Sequence, residues 1–117
     1  MRAFELIEAW PVDNAAVAVI DRHGEIHYHG DESREFRLAS VTKVIAAWAV
    51  LVACEEGTVS LDDEVGRPGC TLRHLLAHAG GYPFEGEAPV GAVGAKRVYS
   101  NTGYELCLLY TSDAADE

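Results

Sequence analysis

Ser40-Val41-Thr42-Lys43 sets a hydroxyl and an amine three residues apart at the head of an apolar segment. On a helix that spacing returns both side chains to one face, within reach of each other. A serine in a first helical turn also lies beside backbone N–H groups that have no intrahelical acceptor. Lys43 is the only charged residue between Arg37 and Glu55. Desolvation favours the neutral form of an amine, and a neutral amine is a base. A nucleophile beside a base is the minimum equipment for acyl transfer. The same residues have a plainer reading, in which Ser40 or Ser33 caps the helix and Lys43 extends its ammonium to solvent.

Tyr99-Ser100-Asn101 is the second group of interest. A phenol ionises more readily when an ammonium stands nearby. In extended backbone an Asn two residues on projects to the same side and offers both a donor and an acceptor. The plainer reading is a buried aromatic whose hydroxyl finds a partner, followed by a turn-forming Asn. His74 and His78 are four apart, which on one helix face is a zinc-compatible spacing. No Glu follows His74 and no third ligand stands out, so packing and turn hydrogen bonds are the expectation and no metal is assigned. His27 and His29 share one face of a strand, with His23 in the turn before it.

These groups need elements to hold them. Phe4, Ile7 and Trp10 recur at spacing three over residues 3–10, an amphipathic turn of helix that Pro11 ends. Ala15–Ile20 and Glu25–His29, separated by Asp21-Arg22-His23-Gly24, read as a β-hairpin with a four-residue connection, and residues 30–37 as a loop. A helix is expected from Ala39 to Glu56, closed by Gly57. Its middle, Val44–Cys54, has no polar face, which predicts burial on all sides. Thr71 is a fitting N-cap for a second helix, Leu72–His78, stopped by Gly80-Gly81. Pro83–Gly94 is loop, and a short extended segment, Arg97–Asn101, leads into a last helix.

The 117 residues carry 19 acidic and 9 basic side chains, a formal net charge of −10. Hydrophobic residues make up 49%, which excludes low-complexity and wholesale disordered classes. One domain at most is expected, burying about 65% of its unfolded surface. The acidic balance disfavours nucleic acid as a partner. Cys54, Cys70 and Cys107 are an odd number without close pairing, which implies no disulfide framework and a reducing compartment. Residues 1–10 lack a signal-peptide layout, and the longest apolar run falls well short of the roughly 18 residues that span a bilayer. The expectation is a cytoplasmic chain without membrane contact.

Four blocks in order resemble the serine β-lactamase and penicillin-binding-protein superfamily. They are Phe36-Arg37-Leu38-Ala39-Ser40-Val41-Thr42-Lys43, then Glu56-Gly57-Thr58-Val59-Ser60-Leu61-Asp62-Asp63, then Thr71-Leu72-Arg73-His74-Leu75-Leu76-Ala77-His78, and Val98-Tyr99-Ser100-Asn101-Thr102-Gly103-Tyr104. The resemblance is strongest to the branch with a Tyr-x-Asn motif, which holds class C β-lactamases, related esterases and D-amino-acid peptidases. It implies an α+β fold, with the hairpin as part of an antiparallel sheet packed on the buried central helix. It also implies a serine hydrolase acting on small esters, amides or β-lactams through an acyl-enzyme, with no metal or organic cofactor. Ser40 would be the nucleophile, Lys43 and Tyr99 would share the proton traffic as a coupled pair, and Asn101 would orient Lys43 and the substrate. The Ser40 N–H would supply half of an oxyanion hole.

Two departures stand out. The family's His-Thr-Ser-Gly is His78-Ala79-Gly80-Gly81 in this chain, and the family's downstream Lys/His-x-Gly motif does not follow Asn101. The expectation is therefore an N-terminal part of the domain, 1–106, inactive in isolation, with 107–117 a non-native or disordered tail. The absence of an export signal favours an esterase-type activity over a periplasmic one. The rival reading is a catalytically silent pseudoenzyme or binding module on the same scaffold.

Overall fold

Branched residues on either side of Asp-Arg-His-Gly form the expected hairpin, slightly shorter than its apolar run. In the computed structural model, which describes residues 4–116, strand β1 (Val17–Ile20) pairs antiparallel with β2 (Ile26–His29). The register sets Val17 opposite His29, Ala18 opposite Tyr28, Val19 opposite His27 and Ile20 opposite Ile26. Asp21 builds the turn: its Oδ1 accepts the His23 and Glu25 N–H groups at 2.8 and 2.9 Å, and its own N–H donates to the Glu25 carbonyl. Gly24 takes the left-handed φ of +82° that this turn requires. Ahead of the strands, Phe4–Ala9 is a 3-10 helix, and the Phe4 ring stacks on His29 at 5.6 Å. The predicted span also took in Ala3, which lies outside the described residues. These elements belong to a first compact unit, Met1–Arg37; a second comprises Leu38–Glu117.

In the second unit a 3-10 turn, Ala39–Val41, runs into helix α1 (Thr42–Glu55). Gly57, at φ +79°, ends α1 as predicted: its N–H donates to Cys54 O and that of Thr58 to Ala53 O, a Schellman closure. Glu64 and Thr71 form an isolated antiparallel bridge that leads to helix α2 (Leu72–Leu76). Thr71 caps it in a box with His74, each side chain bonding the other's backbone N–H. Helix α3 (Asn101–Ala115) is capped by Ser100, whose Oγ accepts the Gly103 N–H at 2.9 Å. Its backbone packs on both α1 and α2. The core of this unit is Val50, Val59, Val65, Cys70, Leu72, Leu75, Tyr82 and Cys107. Residues 107–115, expected to form a tail, continue α3: Cys107 is fully buried, and Tyr110 Oη donates to Asp63 Oδ2 at 3.1 Å.

Burial of the central helix on all sides is not observed. Only Val50 of α1 is fully buried, whereas Trp48 is 71% and Val44 66% exposed. The covered stripe is Lys43, Ala46, Ala47, Val50, Ala53 and Cys54, a helical three-four repeat turned toward α3 and the core. All-round apolar composition states what a helix needs covered, not what is there to cover it. Among the described residues, partners meet one face. The same repeat carries Lys43, and one turn earlier Ser40, to the edge facing α3. Among the described residues no helix is long and apolar enough to cross a membrane.

Candidate active site

Ser40 lies exposed in the 3-10 turn, one residue after Ala39, whose φ is +45°. Ala39 and His78 (φ +59°) are the two non-glycine residues with positive φ among the described residues, and both border this site. Strain of this kind persists where surrounding structure enforces it. No backbone carbonyl among the described residues accepts the Ser40 N–H, as expected for the first turn of a helix.

Lys43 Nζ lies 3.5 Å from Ser40 Oγ, a long hydrogen bond, and 2.6 Å from Asn101 Oδ1, a short one. The ammonium also stands 4.8 Å from the centroid of the Tyr99 ring and 5.9 Å from that of Tyr104. Asn101 reaches it from the first position of α3, with its own N–H donated to the Phe84 carbonyl at 2.9 Å. Residues 58 apart in the chain are joined here because the covered stripe of α1 faces the capped end of α3.

The Tyr99 phenol is hydrogen-bonded by the Ser40 hydroxyl and, secondarily, by Lys43, and together they hold it below the ordinary tyrosine range. All four predicted site residues, Ser40, Lys43, Tyr99 and Asn101, therefore meet in one place. Ser40, Lys43 and Tyr99 edge an open cleft of about 540 Å³, walled by Trp48 and Leu51 of α1 and by His78, Arg97 and Tyr104, while Asn101 lies on the other side of Lys43, in a smaller neighbouring pocket.

The sequence reading did not assign three of these neighbours to the site. By sequence alone His78 reads as a turn residue or as the second of two helical histidines. In fact α2 ends at Leu76 and His78 turns left-handed, so it does not share a helix face with His74. His74 bonds back to Thr71, while the buried His78 lies against Tyr99 at 4.5 Å and Tyr104 at 5.0 Å. Burial, then the charges of Arg97 and Lys43, push the His78 imidazole below its usual range. Burial pushes the Tyr104 phenol up, and its hydroxyl donates to the Leu76 carbonyl at 3.2 Å. The available signal was Gly80-Gly81 close behind His78, which argues that the helix is already over there. Arg97 carried no such mark. Among the described residues one metal-compatible cluster occurs, Asp21, Glu25 and His27 on the hairpin turn, in the other unit.

The Beta-lactamase family profile matches residues 8–109. Esterase EstB of Burkholderia gladioli is 40% identical over 93 residues, covering 56% of this chain and 24% of that protein. A crystal structure of a β-lactamase from Mycobacterium bovis superposes with a TM-score of 0.88 at 43% identity, covering 97% of this chain and 42% of its own. The chain thus spans about a quarter of the curated relative and under half of the structural neighbour. With a family match across most of its length and a close structural counterpart, the chain belongs to the beta-lactamase family, within the serine β-lactamase and penicillin-binding-protein-like superfamily.

Proposed function

We propose that Ser40, Lys43, Tyr99 and Asn101 form the acyl-transfer centre of a serine hydrolase for small esters, amides or β-lactams. One observation carries this reading: the Lys43 ammonium converges on Ser40 Oγ and Asn101 Oδ1 and stands 4.8 Å from the Tyr99 ring, in a cleft that Ser40, Lys43 and Tyr99 line together. An ammonium committed as a donor to two oxygens is poorly placed to accept a proton. A phenol held low by those same neighbours is the better acceptor.

In the first step Ser40 Oγ attacks the carbonyl carbon and its proton passes to the Tyr99 phenolate. The tetrahedral oxyanion lies toward the Ser40 N–H, a donor of a type that lowers such barriers by roughly 3–4 kcal/mol. Collapse breaks the acyl–leaving-group bond, and the departing oxygen or nitrogen takes the proton from Tyr99. A water then attacks the acyl carbon and gives its proton to Tyr99, which returns it to Ser40 Oγ as that bond breaks. Lys43 keeps the phenolate accessible and Asn101 keeps Lys43 in place. The name of the Burkholderia relative supports an ester substrate.

Intact-protein mass spectrometry after treatment with a fluorophosphonate or a penicillin tests the proposal. A single adduct mapping to Ser40, abolished by Ser40→Ala, is expected. A chain that takes no adduct from either reagent would leave the scaffold as a binding module.

A further inference from the structure

Tyr99 lies in a segment that is neither helix nor strand, yet its phenol has to meet Ser40 in the 3-10 turn and Lys43 on α1. The backbone on both sides of it is tied to one residue. The Val98 N–H donates to the His78 carbonyl at 2.8 Å, and the Ser100 N–H donates to His78 Nδ1 at 3.0 Å. In extended backbone, N–H groups two residues apart point the same way, and a neighbouring strand ordinarily receives them. Here a carbonyl and an imidazole nitrogen of the same residue do so. The left-handed turn at His78 brings the ring back onto the segment, where it lies 4.5 Å from the Tyr99 ring at 33°.

We propose that His78, as a neutral imidazole, is the positioning residue for the Tyr99 phenol, clamping its backbone before and after and bearing its ring. This rests on the acyl-transfer reading for its functional meaning, though not for its geometry. Nδ1 accepts only while it carries no proton, so the hydrogen bond assigns the proton to Nε2. Protonation would turn Nδ1 into a donor facing the Ser100 N–H. The groups around the ring oppose it as well: Lys43 from α1 and Arg97 from the connecting segment are cationic, while Tyr99 and Tyr104 face it as rings. Burial acts in the same direction, so the clamp should hold to a pH below the usual histidine range.

Nuclear magnetic resonance on the full chain, with labelled backbone nitrogen and tyrosine Cζ, tests this. In the unmutated protein the Ser100 amide resonance should follow the titration of His78 and lose its hydrogen-bonded shift as the imidazole protonates. In His78→Phe, which keeps a ring and loses the acceptor, the Tyr99 phenol should titrate higher, toward the usual value near ~10. His78→Asn restores an acceptor and tolerates positive φ, so it should return Tyr99 toward the original titration. A Ser100 amide blind to His78 titration overturns the proposal whether or not any variant folds. So does a folded His78→Phe with unchanged Tyr99. Ser40 labelling separates the two readings: no adduct with the clamp intact removes the chemistry alone, and an adduct with no clamp removes His78 alone.

Discussion

Replacing Asn101 with alanine removes the acceptor that anchors the Lys43 ammonium. The 2.6 Å bond is short and half-buried between α1 and α3. A hydrogen bond to a charged group contributes roughly 1.5–3 kcal/mol, and partial solvent contact puts this one at the lower end, about 1.5 kcal/mol. An opposing effect comes from α3. Asn101 is its first residue, and a helix N-terminus disfavours a nearby cation by roughly 0.3–1 kcal/mol. Lys43→Met loses the bond and that repulsion together with the contacts to Ser40 and the tyrosine rings, worth roughly 0.5 kcal/mol, so it should destabilise by about 1.5 kcal/mol, close to Asn101→Ala. In the Asn101→Ala background the ammonium keeps the repulsion and its contacts with Ser40 and the two tyrosine rings, all of which Lys43→Met removes in either background. The double variant should then match Lys43→Met, and the cycle should return a coupling of about 1.5 kcal/mol. Urea unfolding of the four proteins by circular dichroism measures it. A coupling under about 0.5 kcal/mol would refute the reasoning.

Other consequences follow from burial. The Cys107 thiol is pushed up to about 12, chiefly by burial and then by Cys70 nearby, so it stays protonated in the native state while the unfolded thiol ionises near ~8.5. The unfolded chain therefore binds fewer protons between those values. Stability should fall as pH rises through that window, by up to about 1.4 kcal/mol per pH unit, and Cys107→Ala should flatten that limb. Trp48, 71% exposed, should fluoresce as a solvated indole open to acrylamide, and Trp48→Gln should shift stability by no more than about 0.5 kcal/mol. A quencher-protected Trp48 would mean that its face of α1 is covered.

Much of the local structure was legible because single residues dictate it. Asp21 and Gly24 specify the hairpin turn, Gly57 the end of α1, and Thr71 an N-cap, each through its own backbone chemistry. The four site residues were legible as types and spacings, although their convergence needed the covered stripe of α1 to face the start of α3. The rest depended on tertiary cover. The apolar run of α1 could not announce that Val44 and Trp48 would find no partner. Spacing arithmetic put His74 and His78 on one face only by extending a helix that ends at Leu76. The helical run through residues 107–115 and the buried place of Cys107 depend on packing against the core, which the residues after Leu106 do not announce.

The account turns on the Tyr99 phenol taking the Ser40 proton. The rate at which a fluorophosphonate labels Ser40, in the unmutated chain and in a folded Tyr99→Phe variant, tests it most directly. General-base assistance is worth roughly 10²–10⁴-fold, so labelling should slow by at least about a hundredfold without the hydroxyl. Labelling at an unchanged rate in Tyr99→Phe would contradict it and pass the proton to another group.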